Sequence, residues 1–213
     1  MTRICVCDVG LGNLRSVERA LQKAAELAAR TITIEVTRDP DAVRRADAVV
    51  VPGQGGFGDC ARALASGLGD AVVEQIARGT PYLGICLGLQ VLFSRSAEAP
   101  GEKGLGVFPG EVALLEGGID VATGMPLKVP HIGWNTVEPT SGHRGALPDE
   151  AAHFYFVHSY VVKPDDPKLV CGTTEYGARF VSAIARDNLF ACQFHPEKSQ
   201  AAGLELLARF LRA

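Results

Sequence analysis

A cysteine stands between two glycines in Gly84-Ile85-Cys86-Leu87-Gly88, directly after the apolar run Tyr82 to Ile85. The run predicts a buried strand, and Leu89 to Phe93 predicts the start of a helix. A tight strand-to-helix turn lifts a nucleophile above a sheet, and small neighbours on both sides let the chain make that turn. The following helix would aim its positive end at the sulfur and favour thiolate over thiol. Taken alone, Gly-x-Cys-x-Gly fits equally well a buried cysteine between two turn glycines.

A thiol nucleophile needs a base, and the base needs a partner that orients it. Both types occur near the C-terminus in Cys192-Gln193-Phe194-His195-Pro196-Glu197. Pro196 biases His195 toward extended backbone. Residues two apart in an extended segment point the same way, so Glu197 could hold the imidazole while His195 faces Cys86. A lone histidine ending a strand is usually structural; paired with a cysteine elbow it suggests acyl transfer.

The two stretches together resemble the class I glutamine amidotransferases, whose site is a Cys-His-Glu triad. Within that family the chain is most similar to the glutaminase subunits of imidazole glycerol phosphate synthase. The likeness runs through Gly10-Leu11-Gly12-Asn13-Leu14, Pro52-Gly53-Gln54-Gly55-Gly56-Phe57, Pro130-His131-Ile132-Gly133-Trp134-Asn135 and Tyr155-Phe156-Val157-His158-Ser159-Tyr160. The resemblance implies glutamine hydrolysis by Cys86, His195 and Glu197. It implies an oxyanion hole from the Gly53–Gln54 peptide and the Leu87 N–H, since backbone N–H groups suit a tetrahedral oxyanion. It implies that Gln90, Glu98, Ser159 and Tyr160 hold the substrate, Glu98 by pairing with the ammonium group. Asn13, Trp134 and Asn135 would face a separate cyclase subunit, a β/α barrel that receives the ammonia, in a one-to-one heterodimer. No metal or organic cofactor is implied. The alternatives are a glutaminase subunit for anthranilate or pyridoxal phosphate synthesis, a cysteine peptidase or amidase, and a non-catalytic binding protein on the same fold.

The 213 residues suit one large domain, and 47% hydrophobic content suffices for a substantial core. A net charge of −3 without a basic stripe argues against nucleic acid. Apolar runs fall short of a membrane span, and Met1-Thr2-Arg3 leads straight into a strand-like run rather than a leader. A cytoplasmic protein is therefore expected. Of the six cysteines, Cys5, Cys7, Cys171 and Cys192 sit in strand-like runs, and neither they nor Cys60 has paired metal-ligand spacing. Reduced thiols packed as small apolar residues are expected there.

The periodicity predicts strands over 4–9, 32–36 and 48–51 and a helix over 14–29. The loop Gly10 to Asn13 lacks dinucleotide-loop spacing because position 15 is arginine. Helical patterns follow between Asp59 and Arg78, interrupted near Gly67 and Gly69. From Lys103 the chain changes to short strands, expected over 106–115, 127–132, 154–162, 170–174, 180–186 and 189–194, and Ser199 is placed to cap a final helix. The fold expected is one α/β domain, 1–213, with a mixed, mostly parallel central sheet flanked by helices and antiparallel strands in the C-terminal half. Its site would lie at the carboxyl ends of the parallel strands. His131, His143, His153 and His158 show no metal spacing and read as structural or exposed.

Overall fold

The computed structural model describes residues 1–10, 12–119, 123–140 and 145–212. Leu11 of the first loop and His143 lie outside them. In chain order come β1 (Thr2–Cys7), α1 (Leu14–Ala28), β2 (Ile32–Thr37), α2 (Pro40–Arg44), β3 (Ala48–Gly53), α3 (Phe57–Leu64), α4 (Leu68–Ala77), β4 (Tyr82–Cys86) and α5 (Leu87–Gln90). The second half contains β5 (Gly110–Leu114), β6 (His131–Pro139), β7 (Ala152–His158), β8 (Tyr160–Pro164), β9 (Val170–Tyr176), β10 (Ala178–Arg186), β11 (Leu189–Cys192) and α6 (Gln200–Arg212). Among the described residues the strands join one mixed sheet in the order β2-β1-β3-β4-β11-β10-β9-β6-β7, with β5 paired to β8 and β8 to β10.

The first five strands of that order are mutually parallel, and the remaining pairings are antiparallel. Alternation along the parallel strands builds two apolar layers. Ile4, Val6, Val50, Leu83 and Ile85 pack with Val17 and Leu21 of α1 and Leu207 and Phe210 of α6. Cys5, Cys7, Val49, Val51 and Tyr82 face the other way, against Phe57, Cys60, Leu64, Leu68 and Val72. Helix α1 forms because its apolar residues recur on one face, and because the Asn13 carboxamide oxygen accepts the Ser16 N–H at 3.2 Å. Gly67, in the left-handed region at φ 91°, separates α3 from α4 as the interrupted pattern predicts.

Three sequence expectations are corrected. Residues 127–130 are not a strand; β6 begins at His131. The run 154–162 is two strands broken at Ser159, because β7 pairs with β6 whereas β8 turns to pair with β5 and β10. The helix after Cys86 is the single turn Leu87–Gln90 rather than one beginning at Leu89. So short a helix has little dipole to offer the sulfur.

The elbow depends on its glycines through packing as well as through backbone freedom. A Cβ on Gly88 would lie 1.8 Å from the Val51 carbonyl oxygen, and one on Gly84 would lie 2.5 Å from the Gly88 carbonyl oxygen. The buried Tyr82 hydroxyl donates to that same Gly88 carbonyl at 2.7 Å. We expect Gly88→Ala to lose more than about 3 kcal/mol of stability, because backbone must move on both sides of the contact. Urea unfolding measures this, and an alanine variant as stable as the parent would contradict the packing.

Candidate active site

Strand β4 ends on Cys86, whose φ of 54° and ψ of −99° lie in a region that side chains rarely adopt. Gly53, the last residue of β3, is paired in register with Cys86. A Cβ on Gly53 would fall 2.7 Å from the Leu87 Cβ, so glycine is what lets the two backbones stand side by side. Gly12 of the first loop backs onto this segment: a Cβ there would sit 3.5 Å from the Gln54 nitrogen. The expected oxyanion residues are thus neighbours of the sulfur, at the carboxyl ends of parallel strands.

Strand β11 runs beside β4 and ends at Cys192, three residues short of the histidine. His195 itself is extended at φ −108°, as a residue before proline should be, but Pro196–Lys198 forms a 3-10 turn. Glu197 therefore reaches the imidazole across a turn, not by strand alternation. The result is the contact expected: His195 Nδ1 lies 2.9 Å from Glu197 Oε1, with both side chains almost fully buried. A carboxylate only accepts, so Nδ1 carries a proton and Nε2 is the nitrogen that gains or loses the second one.

The main chain of His195 is clamped. Its N–H donates to the Tyr155 carbonyl at 2.9 Å, and its carbonyl accepts the Ser199 hydroxyl at 2.6 Å. Ser199 Oγ in turn accepts the Tyr155 N–H at 2.9 Å. The expected helix cap is thus engaged in holding the histidine instead. Burial alone would pull the imidazole below its usual range, but the adjacent Cys86 and Glu197 outweigh burial and raise it to about 9. His195 Nε2 has no well-aligned hydrogen-bond partner among the described residues, so the sulfur acts on the ring through proximity and charge.

Cys86 forms the floor of a cavity of about 300 Å³, at the small end of ligand-pocket sizes and suited to a single amino acid. Gln54, Gly55, Leu87, Gln90, Glu98 and the run Val157 to Tyr160 also line it. Glu98 is half-buried, and its Oε2 accepts the Phe57 N–H at 2.8 Å while the side chain borders the cavity. Gln90 is buried, and its Oε1 has no partner among the described residues. An unpaired buried acceptor beside a cavity suits a ligand's ammonium or amide.

Those features decide the family. The family model for class-I glutamine amidotransferases matches residues 5–213. The chain belongs to the class-I glutamine amidotransferase family. A protein named imidazole glycerol phosphate synthase subunit HisH, from Nitrosomonas europaea, is 48% identical and the match covers 100% of this chain and 99% of that one. A protein of the same name from Methylococcus capsulatus is 47% identical, over 100% of this chain and 97% of that one. Among solved structures, one described as a glutamine amidotransferase shares the fold at a TM-score of 0.72, with 19% identity over 98% of this chain and 96% of that chain.

The remaining cysteines of this amidotransferase are free and buried. Burial pushes the Cys60 and Cys171 thiols up to about 12, and Cys192 well above its usual range, which suits packing rather than reaction. No helix among the described residues is long and apolar enough to cross a membrane.

Of the expected partner-facing residues, Asn13 is exposed and caps α1. Trp134 is 47% exposed, edge-on to Tyr155 at 6.1 Å, and Tyr155 borders the cavity mouth beneath Lys198. Asn135 is half-buried, and its amide donates inward to the Glu175 carbonyl at 2.9 Å. Sequence reasoning passed over Gln193, whose amide reaches the sulfur. The alternation argument used for His195 and Glu197 would have put it on the same side.

Proposed function

We infer that this amidotransferase hydrolyses L-glutamine to L-glutamate and ammonia as the glutaminase subunit of imidazole glycerol phosphate synthase in histidine biosynthesis. The observation that carries the chemistry is the strained Cys86 on the cavity floor, with the buried His195–Glu197 pair behind it. The full-length likeness to the HisH proteins supports the choice of pathway.

The Cys86 sulfur attacks the side-chain carboxamide carbon with its proton already held by His195, whose raised value keeps the ring charged near neutrality. The Gln54 and Leu87 N–H groups stabilise the tetrahedral oxyanion. Collapse expels ammonia, which takes the proton from His195, leaving a thioester. Water, losing a proton to His195, attacks the thioester and releases glutamate. Glu197 keeps Nδ1 protonated and supports the imidazolium at each stage. Gln90 Oε1, Glu98 and the Ser159–Tyr160 backbone hold the amino-acid end of the substrate.

Residues 1–213 act as one glutamine amidotransferase domain in the cytoplasm. The ammonia passes to a separate cyclase subunit, a β/α barrel, in a one-to-one complex. Exposed Trp134 and Ile132, two apart on β6, supply apolar surface beside the cavity mouth for that partner. Asn13, exposed at the start of α1, and Asn135 are assigned to the same partner-facing surface by the family likeness.

The deciding experiment follows glutamate release with and without the cyclase subunit and its ribonucleotide ligand, for the parent and Cys86→Ala. We expect strong ligand-dependent stimulation that Cys86→Ala abolishes. Equal turnover with and without partner would remove the pathway assignment and keep the glutaminase. No turnover under any condition would sink both.

A further inference from the structure

The mechanism above gives no role to Gln193, whose buried amide lies beside the sulfur. We propose that Gln193 is a hydrogen-bond donor to the nucleophile: its Nε2–H aims Cys86 Sγ and favours the anionic sulfur. The proposal deepens the glutaminase reading and rests on Cys86 being the nucleophile.

Gln193 is fully buried, and its backbone N–H donates to the Ser182 carbonyl at 2.8 Å, so its position is set by β10. Its Nε2 lies 3.4 Å from Cys86 Sγ, and its Oε1 lies 3.1 Å from Gln90 Nε2. Carboxamide oxygen and nitrogen look alike, so the direction of such a bond has to come from its surroundings.

Here a backbone carbonyl settles it. The Tyr160 carbonyl can only accept, so the Gln90 atom 3.2 Å away is the nitrogen. The Gln193 atom facing that nitrogen must then be its oxygen. What remains for the sulfur is the N–H. Reversing Gln193 would set oxygen against the sulfur and leave two N–H groups facing each other.

The same carbonyl constrains a second branch consistently. His158 Nδ1 lies 3.0 Å from the Tyr160 oxygen and must carry a proton. Its Nε2, bare in a neutral ring, accepts from His131 Nδ1 at 3.1 Å. His131 Nε2 accepts from the Asn135 amide at 3.4 Å, and that amide's other N–H is committed to the Glu175 carbonyl. The Asn135 oxygen accepts the Thr136 N–H at 2.7 Å. Each group in the network then has one role; the Tyr160 carbonyl anchors both branches and the Glu175 carbonyl the far end of the second. Apart from Gln90 Oε1, which is unpaired among the described residues, these groups are hydrogen-bonded to one another, and such a network holds its members in one geometry.

An amide donor suits this place. It offers a partial positive charge to the sulfur without a titrating proton of its own, so it does not compete with His195 for the thiol proton. As the thioester forms, the sulfur loses its negative charge and the bond weakens. When the thioester breaks, the returning negative charge meets the same donor.

The test is the pH profile of Cys86 alkylation by iodoacetamide in the full chain, with the modified site identified by mass spectrometry and Cys86→Ala as the blank. Gln193→Met keeps length and volume but removes the donor. Gln193→Glu keeps an oxygen for Gln90 and sets an acceptor against the sulfur. We expect the Met variant to react about tenfold more slowly at neutral pH, as for loss of one bond to a charged group, with the deficit vanishing at high pH. The Glu variant should be slower still, and kcat for glutamine should fall more than KM rises.

Profiles that superimpose on the parent's would overturn the proposal and leave Gln193 a packing residue. Should both variants fail to fold, the parent decides. In labelled protein the Gln193 side-chain amide resonances should shift on alkylation of Cys86, and resonances that stay in place would overturn the proposal. Alkylation needs neither glutamine nor partner. A parent that hydrolyses no glutamine but shows the expected order of profiles would refute the glutaminase reading and keep the donor.

Discussion

His195→Gln should lower kcat for glutamine at least about a thousandfold in the stimulated complex, with KM near the parent's. Glutamine replaces the ring with a group that can neither take the thiol proton nor return it to ammonia. Its volume is close to histidine's, so the clamp on the main chain of residue 195 by Tyr155 and Ser199 should survive. Because His195 lines none of the cavity and touches the substrate only through proton transfer, binding should be largely spared. Glu197→Gln should cause a smaller loss, about 10- to 100-fold: an oxygen can still accept from Nδ1 at the 2.9 Å contact, but the charge that supports the imidazolium is gone. A His195→Gln variant within tenfold of the parent would remove this residue from its role as base.

The second expectation concerns stability. His131 lies between Phe156, at 4.9 Å, and Tyr176, at 4.1 Å, and hydrogen-bonds His158 in a site with no carboxylate bonded to either ring. Burial holds His131 neutral down to about 4. Burial, helped by the neighbouring His131, holds His158 neutral down to about 3. In the unfolded chain both rings protonate near pH 6.5. Their contribution to stability is therefore complete above about 6.5 and is lost as pH falls toward the folded values. Between pH 7 and pH 5 the loss should be about 2 kcal/mol for each histidine.

His195 runs the opposite way. Its folded value of about 9 lies above the unfolded one, so its contribution is complete below about 6.5 and is lost as pH rises through 9. Stability should thus peak near neutrality and fall on both sides. Urea unfolding at pH 5, 7 and 9 measures the limbs, and histidine ring resonances assign them. A ring of His131 or His158 that titrates near 6.5 in the folded protein would contradict the acid limb.

The pathway from residues to site was legible where the chemistry is local. The Gly84 and Gly88 spacing around Cys86 announces an elbow because a turn that tight excludes side chains, and the 1.8 Å and 2.5 Å approaches are the tertiary expression of that rule. The apolar runs of β1, β3 and β4 read as buried strands because helices cover both faces of the parallel sheet. Where partners are distant in sequence, the reading was incomplete. Nothing near Ser159 announces that β7 and β8 part company there, since the break depends on which neighbours each strand finds. What holds the Glu98 carboxylate is likewise invisible in the sequence, since the Phe57 N–H that it accepts comes from α3, 41 residues away.

The sequence by itself singled out Cys86, His195 and Glu197 as the candidate nucleophile, base and orienting acid. Those assignments rest on short-range signals, glycine on both sides of Cys86 and proline after His195, although Glu197 meets the imidazole across the Pro196–Lys198 turn and not by the alternation expected. Only the tertiary structure decided what surrounds the sulfur. It brought Gln193 within 3.4 Å of Cys86 and Gln90 against the Tyr160 carbonyl, and it paired His131 with His158. These contacts span 107, 70 and 27 residues of chain. Their directions follow from backbone carbonyls that accept and never donate, and that constraint exists only once the strands have closed around the site.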